Sequence, residues 1–218
     1  CVLMVVKGKA VLNRCLLSLN GVSAHLSEKI PCIAGFQEAS FNISNSYIFG
    51  DSYNEAITWG FHAINPLQVK ITDTVIKDHI GGGIMMGLHF DTEWEIFNNK
   101  IVSWQTAGIY IQGESSAPII ESNEIKNCRG TGIKIYSKVE AEIRENQLHD
   151  NNDGIKLVNN KAQVINNEIG KSHGHGIFIV WDDGEKCAPK IKGNNITNSK
   201  FNGIQVSGNG TVAIITNN

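Results

Sequence analysis

Charge of either sign is scarce here. Asp, Glu, Lys and Arg make up 18% of the 218 residues, and the net charge is −2. That excludes a strongly basic surface for nucleic acid. Long apolar runs are also missing. None approaches the roughly 20 residues that a membrane-spanning helix needs, and the apolar start CVLMVV (1–6) is short, with no signal-like layout after it. No membrane or nucleic-acid partner is expected. The cysteines (Cys1, Cys15, Cys32, Cys128 and Cys187) are odd in number and scattered. There is no CxxC pair and no Cys/His spacing of a zinc site. The expectation is free, mostly buried thiols in a reducing, intracellular compartment, with no metal and no cofactor. Sequons at Asn42, Asn195 and Asn209 weigh little against this in an asparagine-rich chain. The first residue is cysteine rather than methionine, which reads as a fragment or a processed piece. A 3.6-residue apolar period is lacking as well, so helical repeats are a poor fit.

What is present is a repeat. IFNNKI (96–101), IESNEI (120–125), IRENQL (143–148), VINNEI (164–169) and IKGNNI (191–196) all read apolar-x-x-Asn-x-apolar. Their asparagines are Asn99, Asn123, Asn146, Asn167 and Asn194, spaced by 24, 23, 21 and 27 residues. Upstream, Thr74, Ser46 and Cys15 fall in the same slot, and downstream Ile214 and Asn217 start another copy. A second column is linked to the first. GIMM (83–86), GIYI (108–111), GIKI (132–135), GIKL (154–157), GIFI (176–179) and GIQV (203–206) all read Gly-Ile-x-apolar. Two columns that hold register over six copies are far more specific than any single short motif.

Alternation such as Ile177 and Ile179 around Phe178 marks short strands with one buried face. Turns of Gly, Asn, Asp and Ser separate them. A unit of 21–28 residues cannot cover its own apolar face, but stacked copies cover one another. Glycine at the start of the second strand is expected to serve a bend or a positive φ. Asparagines stacked on rungs about 4.8 Å apart can hydrogen-bond up and down the stack, so burial does not penalise them. These features specify an all-β, right-handed parallel β-helix: a three-sided solenoid with an internal asparagine ladder. A single array over 1–218 is expected, irregular over 1–40, regular over 41–218 and truncated within a copy at its end.

The N-x-I…G-I-x-I pattern resembles the right-handed β-helix repeats of carbohydrate-binding and sugar-hydrolase proteins. Within that group, residues 117–157 look most like the repeats of F-box-only ubiquitin-ligase subunits, and VLMVVKGKAVLNRCLLS (2–18) looks like Shc-binding β-helix proteins. The resemblance implies the fold strongly and the function weakly, because relatives range from enzymes to non-catalytic scaffolds.

Two functional readings follow. Polygalacturonases carry Asn-x-Asp, Asp-Asp, Gly-His-Gly and Arg-x-Lys in that order. Here NND (151–153) and GHG (174–176) occur, DD (182–183) comes after GHG, and no Arg-x-Lys follows. A better constellation for an enzyme is Asp153 with His175, one column on neighbouring copies, beside an outward strip containing Lys134 and Lys156 with Tyr110 and Phe178 in line. A carboxylate beside a histidine could poise a general acid or base, and the strip could hold an acidic polysaccharide for a lyase, hydrolase or epimerase. The main expectation is instead a non-catalytic scaffold that docks protein partners, as part of a larger protein or assembly. The long insertion WDDGEKCA (181–188) supplies its contact residues Trp181, Asp182 and Asp183, with Phe178 nearby.

Overall fold

The computed structural model describes residues 3–18, 31–50, 59–79, 81–88, 93–103, 105–114, 116–182 and 187–218. Every strand pairing among them is parallel, and the strands form three faces. Face 1 holds the first half of Ile33–Ser44, then Trp59–Ile64, Gly82–Leu88, Ala107–Gly113, Thr131–Tyr136, Asp153–Val158, Ile177–Val180 and Ile204–Ser207. Face 2 holds the second half of Ile33–Ser44, then Gln68–Thr72, Glu93–Phe97, Ile119–Glu121, Glu142–Arg144, Gln163–Ile165, Lys190–Lys192 and Ile214–Thr216. Face 3 holds Leu16–Ser18, Tyr47–Phe49, Val75–His79, Lys100–Ser103, Glu124–Lys126, Gln147–His149, Glu168–Gly170 and Asn195–Thr197. The chain visits the faces in the order 1, 2, 3 on each rung, so the fold is an all-β parallel solenoid.

The core is the inside of this triangle. The isoleucine of the Gly-Ile motif stacks rung on rung as Ile84, Ile109, Ile133, Ile155 and Ile177, all fully buried. Face 2 contributes Ile71, Ile96, Ile120, Ile143, Val164 and Ile191, and face 3 contributes Ile48, Ile76, Ile101, Ile125, Leu148 and Ile169. Each side chain of this kind stabilises the fold by about 1.5–3 kcal/mol relative to exposure.

The corner between faces 2 and 3 explains the asparagine column. The residue before each slot has positive φ: Arg14, Asn45, Asp73, Asn98, Ser122, Glu145, Asn166, Gly193 and Asn217. This tight turn points the next side chain inward. The Oδ1 of Asn123, Asn146, Asn167 and Asn194 accepts the backbone N–H of the preceding rung's slot residue at 2.9 Å in each case. Each Nδ2 donates to the next rung's Oδ1, as from Asn123 to Asn146 at 2.9 Å and from Asn146 to Asn167 at 3.0 Å. Toward the N-terminus Thr74 donates its N–H to Asn99 Oδ1 at 3.0 Å, and Cys15 donates its own to Ser46 Oγ at 3.1 Å. The last slot belongs to Asn218 rather than Asn217. Asn194 Nδ2 donates to Asn218 Oδ1 at 2.7 Å, while Asn217 takes the positive-φ place.

The glycine column has a different cause from the one expected. Among the Gly-Ile glycines none has positive φ. At Gly83, Gly108, Gly132, Gly154 and Gly176 glycine is needed because the next rung's backbone approaches closely, while Gly203 meets only Ile196 at 3.8 Å. A Cβ on Gly154 would stand 2.5 Å from both the Gly176 carbonyl oxygen and Ile169, and one on Gly83 would stand 2.6 Å from the Gly108 oxygen and 2.5 Å from Ile101. Leu3–Asn13 pairs along Ile33–Ser44 with a register shift between Val6 and Gly8, and Leu16–Ser18 pairs along Tyr47–Phe49. In these rungs the corner between faces 1 and 2 is a kink inside one long strand, at Lys7 and Gly8 and at Gln37 and Glu38, all with positive φ. The kink shifts the phase of the alternation and hides the repeat.

Candidate binding face

Parallel register fixes what each face shows outside. On face 1 the middle outward column runs His62, Met85, Tyr110, Lys134, Lys156, Phe178, Gln205. Period 2 puts these residues outside because their neighbours Ile133 and Ile135, or Ile177 and Ile179, fill the core. The Lys134 ammonium lies 4.9 Å from the Tyr110 ring centroid and 5.9 Å from that of Tyr136, and the Lys156 ammonium 4.9 Å from that of Phe178. These are cation–π distances. Trp59 stacks on Tyr110 with centroids 6.4 Å apart, and His175 packs between Phe178 at 4.9 Å and Phe201 at 5.6 Å. The Tyr110 hydroxyl donates to Gln112 Oε1 at 2.6 Å.

Electrostatics sets this face apart. On face 2, Lys70 pairs with Glu95 at 2.7 Å, and Arg144 with Glu121 at 2.9 Å and Glu142 at 2.5 Å. On face 3, Glu124 lies between Lys100 at 3.0 Å and Lys126 at 2.6 Å; the Lys126 hydrogen bond holds its carboxyl below the usual range. Lys134 and Lys156 stand side by side, and neither has a carboxylate within 4 Å among the described residues. Burial, then the neighbouring Lys156 charge, lowers the pKa of Lys134. Burial, then Tyr136, raises that of Tyr110.

The other candidates fall as follows. Asp153 and His175 do come together, but through the backbone: the His175 N–H donates to Asp153 Oδ1 at 2.9 Å, and the carboxylate is nearly buried. The imidazole instead receives the Asn202 N–H on Nδ1 at 3.3 Å. Trp181 is half-buried. Its indole lies against a turn where a Cβ on Gly210 would come within 2.6 Å of it, so it packs rather than projects. Asp182 and Asn159 hold each other, with the Asp182 N–H donating to Asn159 Oδ1 at 3.1 Å and Asn159 Nδ2 donating back to the carboxylate. Asp183 lies outside the described residues. Phe178 thus belongs with the lysine column rather than with the loop. Sequence reasoning did not find Trp59, Tyr136 and Phe201. Only Tyr136 had a signal: it stands two residues beyond Lys134, on the same side of its strand.

No curated protein and no solved structure matches this chain. Residues 82–218 match the family described as "Right handed beta helix region". With the repeated corner, the inward isoleucine stacks and the uniformly parallel rungs, that match places the chain in the right-handed β-helix family.

Proposed function

We propose that the chain is a non-catalytic β-helix scaffold whose face 1 is a protein-interaction surface, serving as part of a larger protein or assembly. The observation that carries this reading is the Tyr110–Lys134–Lys156–Phe178 column, a strip of rings and cations with no carboxylate within 4 Å of either ammonium among the described residues. Aromatic side chains are enriched at interface centres, and a stiff solenoid presents them without an ordering cost. The resemblance to F-box-only and Shc-binding repeats points to the same use, and the thiols of Cys15 and Cys187, which join no disulfide among the described residues, suit a reducing compartment inside the cell. Burial pushes the Cys32 thiol up to about 11, which suits a packing role rather than a reactive one.

A photo-crosslinking residue at Met85 or Gln205 on face 1, against Gln163 on face 2 and Glu168 on face 3, tests the reading in cells. A partner protein is expected to crosslink from face 1 and not from the other two. Equal yields from all faces, or none from face 1, would overturn it. The rival reading, an enzyme on acidic polysaccharide, draws on the same strip but needs Asp153, whose carboxylate is bound to a backbone N–H. Polygalacturonate turnover by the wild type that is lost in Asp153→Asn would reinstate it.

A further inference from the structure

Resting on the interaction reading above, we infer that Lys134 and Lys156 receive two carboxylates from an extended acidic segment of the partner polypeptide.

Charge complementarity comes first. On faces 2 and 3 the outward cations Lys70, Lys100, Lys126 and Arg144 are matched by carboxylates of their own face, whereas Lys190 and Lys192 near the end of face 2 have no ion pair among the described residues. On face 1, two ammoniums stand on adjacent rungs, about 4.8 Å apart at the backbone. Their ammoniums lean outward along the strip, Lys134 onto the Tyr110 ring and Lys156 onto the Phe178 ring, and neither has a carboxylate within 4 Å among the described residues. Two like charges on one strip, each seated on an aromatic ring and lacking an acid partner, attract an anion that spans them. Burial and mutual repulsion already weaken the protonated form of Lys134, and an anion would relieve both.

The shape of the strip selects the form of the ligand. From Tyr110 to Phe178 is three rungs, or about 14 Å, which is the span of roughly four residues of extended chain. Alternate residues of such a chain point the same way and stand about 6.8 Å apart, within reach of two flexible lysine stems. The segment lies along the strip by side-chain contact, because the strands of face 1 are already paired with their neighbours. Met85, Tyr136 and Val180 offer apolar surface for the residues between the acids.

A sugar acid suits the strip less well. Pyranose rings are gripped by open aromatic faces. Here lysine ammoniums sit over Tyr110 and Phe178, while Trp59 stacks on the first ring and His175 packs on the second. Asp153, at the start of the strand that carries Lys156, is nearly buried and spends Oδ1 on the His175 N–H, so it is poorly placed to bind sugar hydroxyls.

The test uses fluorescence anisotropy with the full chain and two labelled hexapeptides, one alternating glutamate with serine and the other glutamine with serine. In low salt the glutamate peptide is expected to bind about tenfold more tightly, since two partly desolvated ion pairs separate the two. In 0.5 M salt the difference should shrink several-fold. The double variant Lys134→Gln, Lys156→Gln should erase it, the double Arg variant should keep it, and Lys70→Gln on face 2 should leave it unchanged. Equal binding of the two peptides, or a difference that survives the double Gln variant, overturns the inference. So does tighter binding of oligogalacturonate through the same lysines. If face 1 crosslinks a partner while the two peptides bind alike, the interaction reading stands and only the acidic ligand fails. If face 1 crosslinks nothing, the underlying reading fails with it.

Discussion

At the scale of single residues, two small side chains carry much of the fold. Asn146 is fully buried. Its Oδ1 accepts the Asn123 N–H, and its Nδ2 donates to Ile120 O, Arg144 O and Asn167 Oδ1. Replacing it with alanine takes a partner from the backbone N–H of Asn123 and the carbonyls of Ile120 and Arg144, on two rungs, and breaks the side-chain link to Asn167. Asn146→Ala is expected to cost about 2–4 kcal/mol, read from the denaturant midpoint. Glycine has the opposite logic: its value lies in what is missing. Gly154→Ala drives a methyl into the Gly176 carbonyl and should cost about 2–3 kcal/mol. Gly87→Ala, where the nearest atom is 4.0 Å away, should stay within about 0.5 kcal/mol of wild type. Both columns were legible in the sequence because an inward position tolerates so few residue types that the same one recurs. The slip from Asn218 to Asn217 has an equally plain cause. Ile214–Ile215 and Asn217–Asn218 are doublets that satisfy the same pattern in two registers, and only pairing of Ile191 with Ile215 chooses between them.

At the scale of strands and turns, legibility depended on which way a residue points. The outward column of Tyr110, Lys134, Lys156 and Phe178 could be read because each follows an inward isoleucine at a fixed offset. Trp59 and Phe201 could not, since they come from the edges of rungs where the template is interrupted. The turn after Val180 was read as an exposed anchor from its composition, but a tryptophan in a turn can equally serve as its floor. Trp181 does so, lying under the backbone of Gly208 and Gly210. Trp181→Ala is expected to open a cavity and cost about 3 kcal/mol. Hydrogen exchange should quicken first in the turn 208–211, which leans on the indole. Asp182→Ala, which removes one exposed contact to Asn159, should move stability by less than about 1 kcal/mol. A comparable loss in the two variants would contradict this placement.

For the whole molecule, each rung pairs its strands only with its neighbours, so a local defect loosens adjoining rungs first. His79 is such a point. It is fully buried on face 3, its Nδ1 has no hydrogen-bond partner among the described residues, and Nε2 lies 3.4 Å from Ile48 O. Burial lowers its pKa to about 4, well below the ordinary 6.5. The unfolded chain therefore binds the proton more readily than the folded one between these values. Stability is greatest above pH 6.5 and is lost as pH falls toward 4, by ~2–3 kcal/mol at pH 4.5. His79→Asn should flatten that part of the stability–pH curve, and an unchanged slope would assign it to other groups. The amide column adds a property of the entire array. From Asn99 to Asn194 each Nδ2 donates to the Oδ1 of the asparagine on the higher-numbered rung, so every link between amides runs in the same direction. Dipoles aligned head to tail reinforce one another. The corner is thus electrically polar, with its positive pole toward the last rung, so the solenoid has distinct ends even where its rungs look alike.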